Sequence, residues 1–264
     1  MKKLICAAAM SALCATVFAI ESENIVGYQQ IDIPNGYSFF TATFENITDT
    51  DFNLSDIACK QADGSEWLAS GKSATKCNGT VYVRKIATNG AYGTQYKYYS
   101  TKTPVGWYNG DTQVTGAAVK FEPGEGMIVY CGNSSGATLQ VSGSVRLVAA
   151  NKVVPNGYSF SGNSSPVAIK LSAVACKQAD GSEWLASGKS ATKCNGTVYV
   201  RKIATNGAYG TQYKYYSTKT PVGWYDGDTQ ITGENDVTFE PGEGFIVYCG
   251  NSSGAQVVLP APEL

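Results

Sequence analysis

TVYVRKI at Thr80–Ile86, then Asn89-Gly90, then TQYKYY at Thr94–Tyr99: this stretch decides the fold. In the first run Val81 and Val83 fall on one side and Tyr82 and Arg84 on the other. That two-residue period marks a strand with one buried face. Asn-Gly between two such runs supplies the positive-φ pair of a type I′ turn, so the stretch reads as a β-hairpin. Outward from it, SFFTATF at Ser38–Phe44 and MIVYC at Met127–Cys131 are further strands. The second follows a Pro123-Gly124-Glu125-Gly126 turn. Ala137–Val141 and Val145–Val154 read the same way, the latter as a strand that serves both halves of the chain. Leu54–Ile57 suggests a short helical turn after Asn53, and the polar, Gly/Ser-rich Cys59–Cys77 segment a surface loop. No amphipathic helical pattern separates the strands, which argues for antiparallel sheets over a βαβ design.

A self-comparison extends this reading to the rest of the chain. Ala58–Tyr108 recurs letter for letter as Ala175–Tyr225, 51 identical residues. Pro34–Phe39 recurs as Pro155–Phe160, Phe121–Gly126 as Phe239–Gly244, and Gly132–Gly136 as Gly250–Gly254. A unit of about 120 residues is the size of a domain rather than of a solenoid repeat. The expected fold is therefore all-β: two tandem antiparallel β-sandwich or barrel-like modules related by internal duplication. No Pro- or Ser-rich linker separates them, so the modules should abut.

The first residues read as an export signal. Lys2 and Lys3 precede an apolar stretch at Leu4–Phe18, and Val17 and Ala19 sit where small residues precede cleavage. The stretch is about 15 residues, short of the roughly 20 that span a bilayer; an uncleaved anchor is the competing reading. Leu13 before Cys14 argues against a lipoprotein site. The expected organisation is a signal peptide over 1–19, a first β module over 20–143 and a second over 144–264. The expected location is secreted, extracellular or cell-surface, or periplasmic, with no membrane span in the mature chain.

Composition narrows the function. The 264 residues contain no histidine, which removes Ser-His-Asp and Cys-His sites and His-ligated metals. Lys+Arg is 20 and Asp+Glu 21, so no excess of positive charge points to nucleic acid. Charged residues make up 16% and hydrophobic residues 43%, enough for a packed core, and tyrosine alone supplies 17.

The run GYSFSGNSSPVAIKLSAV at Gly157–Val174, the tyrosine-rich hairpin, GWY and FEPGEGFIVYCG together resemble β-rich modules of exported bacterial surface proteins. Those modules carry a G-N-x-x-P-V stretch and a P-G-x-G-F-x-V strand. The first copy departs from the pattern at Phe40–Asn53. The resemblance implies an extracellular β module and passes on no catalytic residues.

Six cysteines follow the signal, three per copy. Cys59–Cys77 and Cys176–Cys194 are candidate disulfides closing the irregular loop, a constraint of about 3 kcal/mol in the chain-entropy model. Cys131 and Cys249 are left over. Three readings stand for them: a bond across the module boundary, a bond to a neighbouring molecule, or buried thiols acting as small apolar residues.

Catalytic motifs are sparse. Ser73-Ala74-Thr75-Lys76 matches S-x-x-K without helical context, and Gly71-Lys72-Ser73 lacks the first glycine of a P-loop because Glu66 occupies its place. Asp63 with Glu66, and Glu122 with Glu125, are carboxylate pairs of the type glycosidases use, and Asp226-Gly227-Asp228 offers calcium ligands. None forms a convincing site, so no catalytic residue, metal or cofactor is expected. Aromatic residues are the better candidates for contact: Trp67, Tyr96, Tyr98, Tyr99, Trp107 and Tyr108, with their copies Trp184, Tyr213, Tyr215, Tyr216, Trp224 and Tyr225. Exposed Tyr and Trp stack on sugars and anchor protein interfaces at low entropic cost; ordinary cross-strand packing is the other reading. The expected function is a non-enzymatic structural or assembly protein of the cell surface or matrix, partnered by itself or by other surface proteins. The alternative is a tandem carbohydrate-binding or adhesive protein.

Overall fold

The computed structural model describes residues 26–46, 51–66, 81–86, 91–183, 198–203 and 209–263. The first half contains β1 (Val26–Ile33), β2 (Gly36–Thr41), β3 (Phe52–Asn53), β4 (Ala58–Gln61), β5 (Val81–Ile86), β6 (Tyr92–Tyr99), β7 (Gly106–Asn109), β8 (Thr112–Gln113), β9 (Lys120–Phe121), β10 (Gly126–Cys131) and β11 (Ala137–Ser144). The second contains β12 (Ala150–Val154), β13 (Gly157–Gly162), β14 (Ile169–Lys170), β15 (Ala175–Gln178), β16 (Val198–Ile203), β17 (Tyr209–Tyr216), β18 (Gly223–Asp226), β19 (Thr229–Gln230), β20 (Thr238–Phe239), β21 (Gly244–Cys249) and β22 (Ala255–Leu259). The protein is all-β. Helical elements among the described residues are three-residue 3-10 turns, one of them the expected turn after Asn53 at Leu54–Asp56.

Each half builds a three-stranded and a six-stranded sheet in the same order: β1-β11-β4 and β2-β10-β5-β6-β7-β8, then β12-β22-β15 and β13-β21-β16-β17-β18-β19. The matching orders are consistent with duplication. The hairpin read from Thr80–Tyr99 is present as the antiparallel β5–β6 pair; its Asn89-Gly90 turn lies outside the described residues. The apolar face of the long sheet (Val81, Val83, Met127, Val129) meets that of the short sheet (Ile33, Leu139, Val141) in one core. A second, separate core repeats this with Val198, Val200, Phe245 and Val247 against Val154, Ala255 and Val257. Trp107 ties the layers together: its Nε1–H donates to the Ile57 carbonyl at 2.7 Å, and Trp224 does the same to Val174 at 2.6 Å. The repeated Asn-Ser-Ser-Gly turn has a steric reason. Gly136 holds φ +77°, and a Cβ there would stand 2.6 Å from the Ile33 carbonyl oxygen.

Two expectations change. Cys59 opens no surface loop: it sits in β4 and is buried, because its side chain faces the core as a small apolar group. The strand expected at Val145–Val154 is confined to Ala150–Val154 and pairs with β22, so it belongs to the second half alone.

The halves abut as expected, and they do so reciprocally. Phe40 bridges to Glu243 while Ser161, its counterpart, bridges to Glu125. The Thr41 backbone N–H donates to the Gly242 carbonyl at 3.0 Å, and the Ser161 hydroxyl donates to the carbonyl of Gly124, the counterpart of Gly242, at 2.8 Å. Such exchange of equivalent contacts is the mark of a two-fold relation, here approximate and within one chain.

Candidate functional site: an aromatic cleft where the two sheets meet

Strand alternation that sends valines into the core sends aromatics outward from the long sheet. Tyr37, Tyr130 and Tyr82 stand directly opposite one another on β2, β10 and β5. Their ring centroids are 4.9 Å apart at both steps, and the Tyr82 hydroxyl donates to that of Tyr37 at 3.1 Å. The second half repeats the row with Tyr158, Tyr248 and Tyr199, at 5.0 and 4.8 Å. Partial burial, then the hydrogen bond, pushes the Tyr82 and Tyr199 phenols up to about 12.

The next outward row is Phe39, Ile128, Arg84 and Gln95, matched by Phe160, Ile246, Arg201 and Gln212. Each arginine donates from Nη2 to the glutamine Oε1, at 2.8 and 2.6 Å. One extra residue on β6 shifts the register after Arg84, so that Tyr92 pairs with Ile86. The bulge turns Tyr92 to the outer face in place of Gly93, where a Cβ would stand 2.8 Å from the Lys85 carbonyl oxygen. The Arg84 guanidinium lies between the Tyr82 and Tyr92 rings, 5.4 and 5.7 Å from their centroids.

Where the two outer faces join, Phe39 stacks on Phe160. Beside this stack opens a cleft of about 430 Å³, walled by Tyr92 from the first half and by Tyr158, Phe160, Tyr199, Arg201, Tyr209 and Ile246 from the second. Tyr92 and Tyr209 are the same position of the repeat and are 68% and 64% exposed. The cleft thus offers aromatic rings, phenol hydroxyls and one guanidinium.

The expected contact residues are mostly elsewhere. Trp107 and Trp224 are 1% exposed, and Tyr108 and Tyr225 are buried with hydroxyls donating to Pro104 and Pro221 carbonyls. These four are packing residues: the Trp107 and Trp224 rings fill the two cores, and the Tyr108 and Tyr225 hydroxyls are taken up by the carbonyls of the preceding turn. Tyr96, Tyr98, Tyr213 and Tyr215 pack partly against the cores. Tyr99 and Tyr216 make edge contacts with Tyr108 and Tyr225, under Lys102 and Lys219. Trp67 and Trp184 lie outside the described residues, as do Cys77, Cys194, Lys72, the Ser73–Lys76 motif and the segment read as an export signal. Cys131 and Cys249 are buried, one in each core, each sulfur 3.8 Å from a carbonyl oxygen two residues on.

The candidate carboxylates serve the turns and ion pairs. Asp63 accepts from Ser65, Glu66 pairs with Lys60, Glu125 accepts from its own turn at Glu122 and pairs with Lys85 at 3.1 Å, and Asp228 pairs with Lys219. Among the described residues no group of three His, Cys, Asp or Glu side chains is placed to hold a metal, and no helix is long and apolar enough to cross a membrane.

The sequence reading passed over Tyr37, Phe39, Tyr130 and Arg201 and their counterparts. The signal was available: period-2 alternation puts Tyr82 and Arg84 opposite Val81 and Val83, and the same rule applied to β2 and β10 gathers the row. Comparison with protein-family models, curated proteins and solved structures finds no match to this chain.

Proposed function

We propose that the protein is a non-enzymatic, exported binding protein whose inter-half cleft takes a sugar ring. The observation that carries this reading is the cleft itself. Tyr92 and Tyr209, exposed and equivalent, flank a volume of about 430 Å³, the size of a small-ligand site. Open tyrosine rings contribute apolar area to the C–H faces of a pyranose, and phenol hydroxyls contribute hydrogen bonds to its rim. The three-tyrosine rows themselves are less suited to stacking, because Tyr82 and Tyr130 already stack on each other. The export signal and the absence of histidine support an extracellular, non-catalytic role. A glycan array is the test. Reproducible binding that Tyr209→Ala and Tyr92→Ala each weaken by tenfold or more supports the reading (about 1.4 kcal/mol); an array without binders refutes it.

A second reading, self-assembly at a surface, rests on β1. This strand is an edge of its sheet with Val26 and Tyr28 61% and 59% exposed, a template for pairing with another chain. Concentration-dependent sedimentation distinguishes it: association lost on Tyr28→Lys supports assembly, and a monomer at all concentrations excludes it.

A further inference from the structure

The two arginines of the outer face differ from the lysines that follow them in the chain, Lys85 and Lys202. On the same strands, Lys85 pairs with Glu125 at 3.1 Å and Lys202 with Glu243 at 2.9 Å. Arg146 pairs with Glu45. Among the described residues, no carboxylate lies within ion-pair distance of Arg84 or Arg201, although the chain has more acids than bases. Each guanidinium is held by a neutral glutamine through Nη2, and its Nε is buried with no acceptor. A buried N–H of a charged group without an acceptor is unfavourable, and native structures rarely leave one so. Two copies of the repeat leave the same atom so.

Only one of the two opens onto the cleft. Arg84 is covered by the Tyr92 ring, whereas Arg201 lines the cleft together with Tyr199 and Tyr209. Among the described residues, no acidic side chain is among the cleft's walls. The buried Nε is out of a ligand's reach, but Gln212 engages Arg201 through Nη2 alone, and the remaining Nη donors of a planar guanidinium match a carboxylate, which accepts in the same plane. The aromatic walls supply the rest of the recognition for a ring.

Resting on the sugar-binding reading above, we propose that the cleft selects acidic sugars, with Arg201 as the residue that reads the carboxylate of a uronic-acid-type ring. Selection is expected at about ten- to hundredfold over the neutral counterpart, the range of one charge-assisted hydrogen-bond pair. It weakens as salt rises from about 0.05 to about 0.5 M.

The test uses the full-length secreted protein on an array that holds neutral glycans and matched pairs of uronate oligosaccharides and their methyl esters, with titration calorimetry on each pair bound. Acid preferred over ester, with the preference abolished by Arg201→Gln and kept by Arg84→Gln, supports the proposal. Arg201→Lys, which retains the charge, keeps part of the preference and serves where the glutamine variant does not fold. Equal binding of acid and ester, or binding of neutral glycans alone, overturns the selection by Arg201 while leaving sugar binding intact. An array with no bound glycan overturns both.

Discussion

Phe39 and Phe160 occupy the same position in the two copies of the repeat and stack on each other, ring centroids 5.1 Å apart and planes 7° from parallel. A residue that meets its own counterpart lies on the approximate two-fold axis, so this pair marks the joint between the halves, and Phe160 also walls the cleft. Removing either ring should cost about 1–3 kcal/mol, and a double-mutant cycle between Phe39→Ala and Phe160→Ala should return a coupling of about 0.5–1.5 kcal/mol. Denaturant unfolding measures both. Strict additivity contradicts a shared stack.

Trp107→Phe keeps most of the apolar volume and deletes the donor to Ile57, leaving a buried carbonyl unpaired. The expected destabilisation is about 1–3 kcal/mol. Trp224→Phe should match it within a few tenths, because its bond to Val174 is the same device. Thermal and denaturant melts of the two variants check the equivalence of the halves as well as the cost.

The Tyr82 and Tyr199 phenols ionise at about 12 in the folded protein, against about 10 in an unfolded chain. The unfolded state therefore loses its protons first as pH rises. The contribution of these groups is fully present below pH about 10 and lost between about 10 and about 12. Tyr37→Phe and Tyr158→Phe remove the hydrogen-bond partners and should bring the two ionisations down. Ultraviolet difference titration of tyrosinate reads this directly; unchanged titration in both variants contradicts it.

Burial pushes the Cys59 and Cys176 thiols well above the usual range, with a smaller push from Cys131 and Cys249. The thiolate is the reactive form, so native, reduced protein at about pH 8 should resist iodoacetamide at both positions and react only on unfolding. Peptide mass mapping of the alkylated sites checks it. Rapid labelling of the native protein contradicts the burial of β4 and β15.

Much of this fold was legible because strands with one buried face write a period of two into the sequence. Val81 and Val83 announced the core face, and the exact repeat of Ala58–Tyr108 carried the hairpin to the second half. Cys59 misled because ACKQ has no apolar alternation around it; only pairing with Leu139 shows that it faces inward. Trp107 looked like a contact residue because sequence alone does not reveal the Ile57 carbonyl waiting beneath it. The cleft was illegible for a different reason. It depends on a one-residue bulge that exchanges Gly93 for Tyr92 on the outer face, and on two distant copies of that face meeting at Phe39 and Phe160. Neither a register shift nor a joint between halves leaves a periodic trace.

A crystal structure of the protein with the tightest glycan from the array tests the central claim most directly. A sugar ring is expected between Tyr92 and Tyr209, in contact with Phe160 and Tyr199. A glycan bound away from the cleft, for example along the β1 edge or over Tyr99, with Tyr92 and Tyr209 untouched, would contradict it.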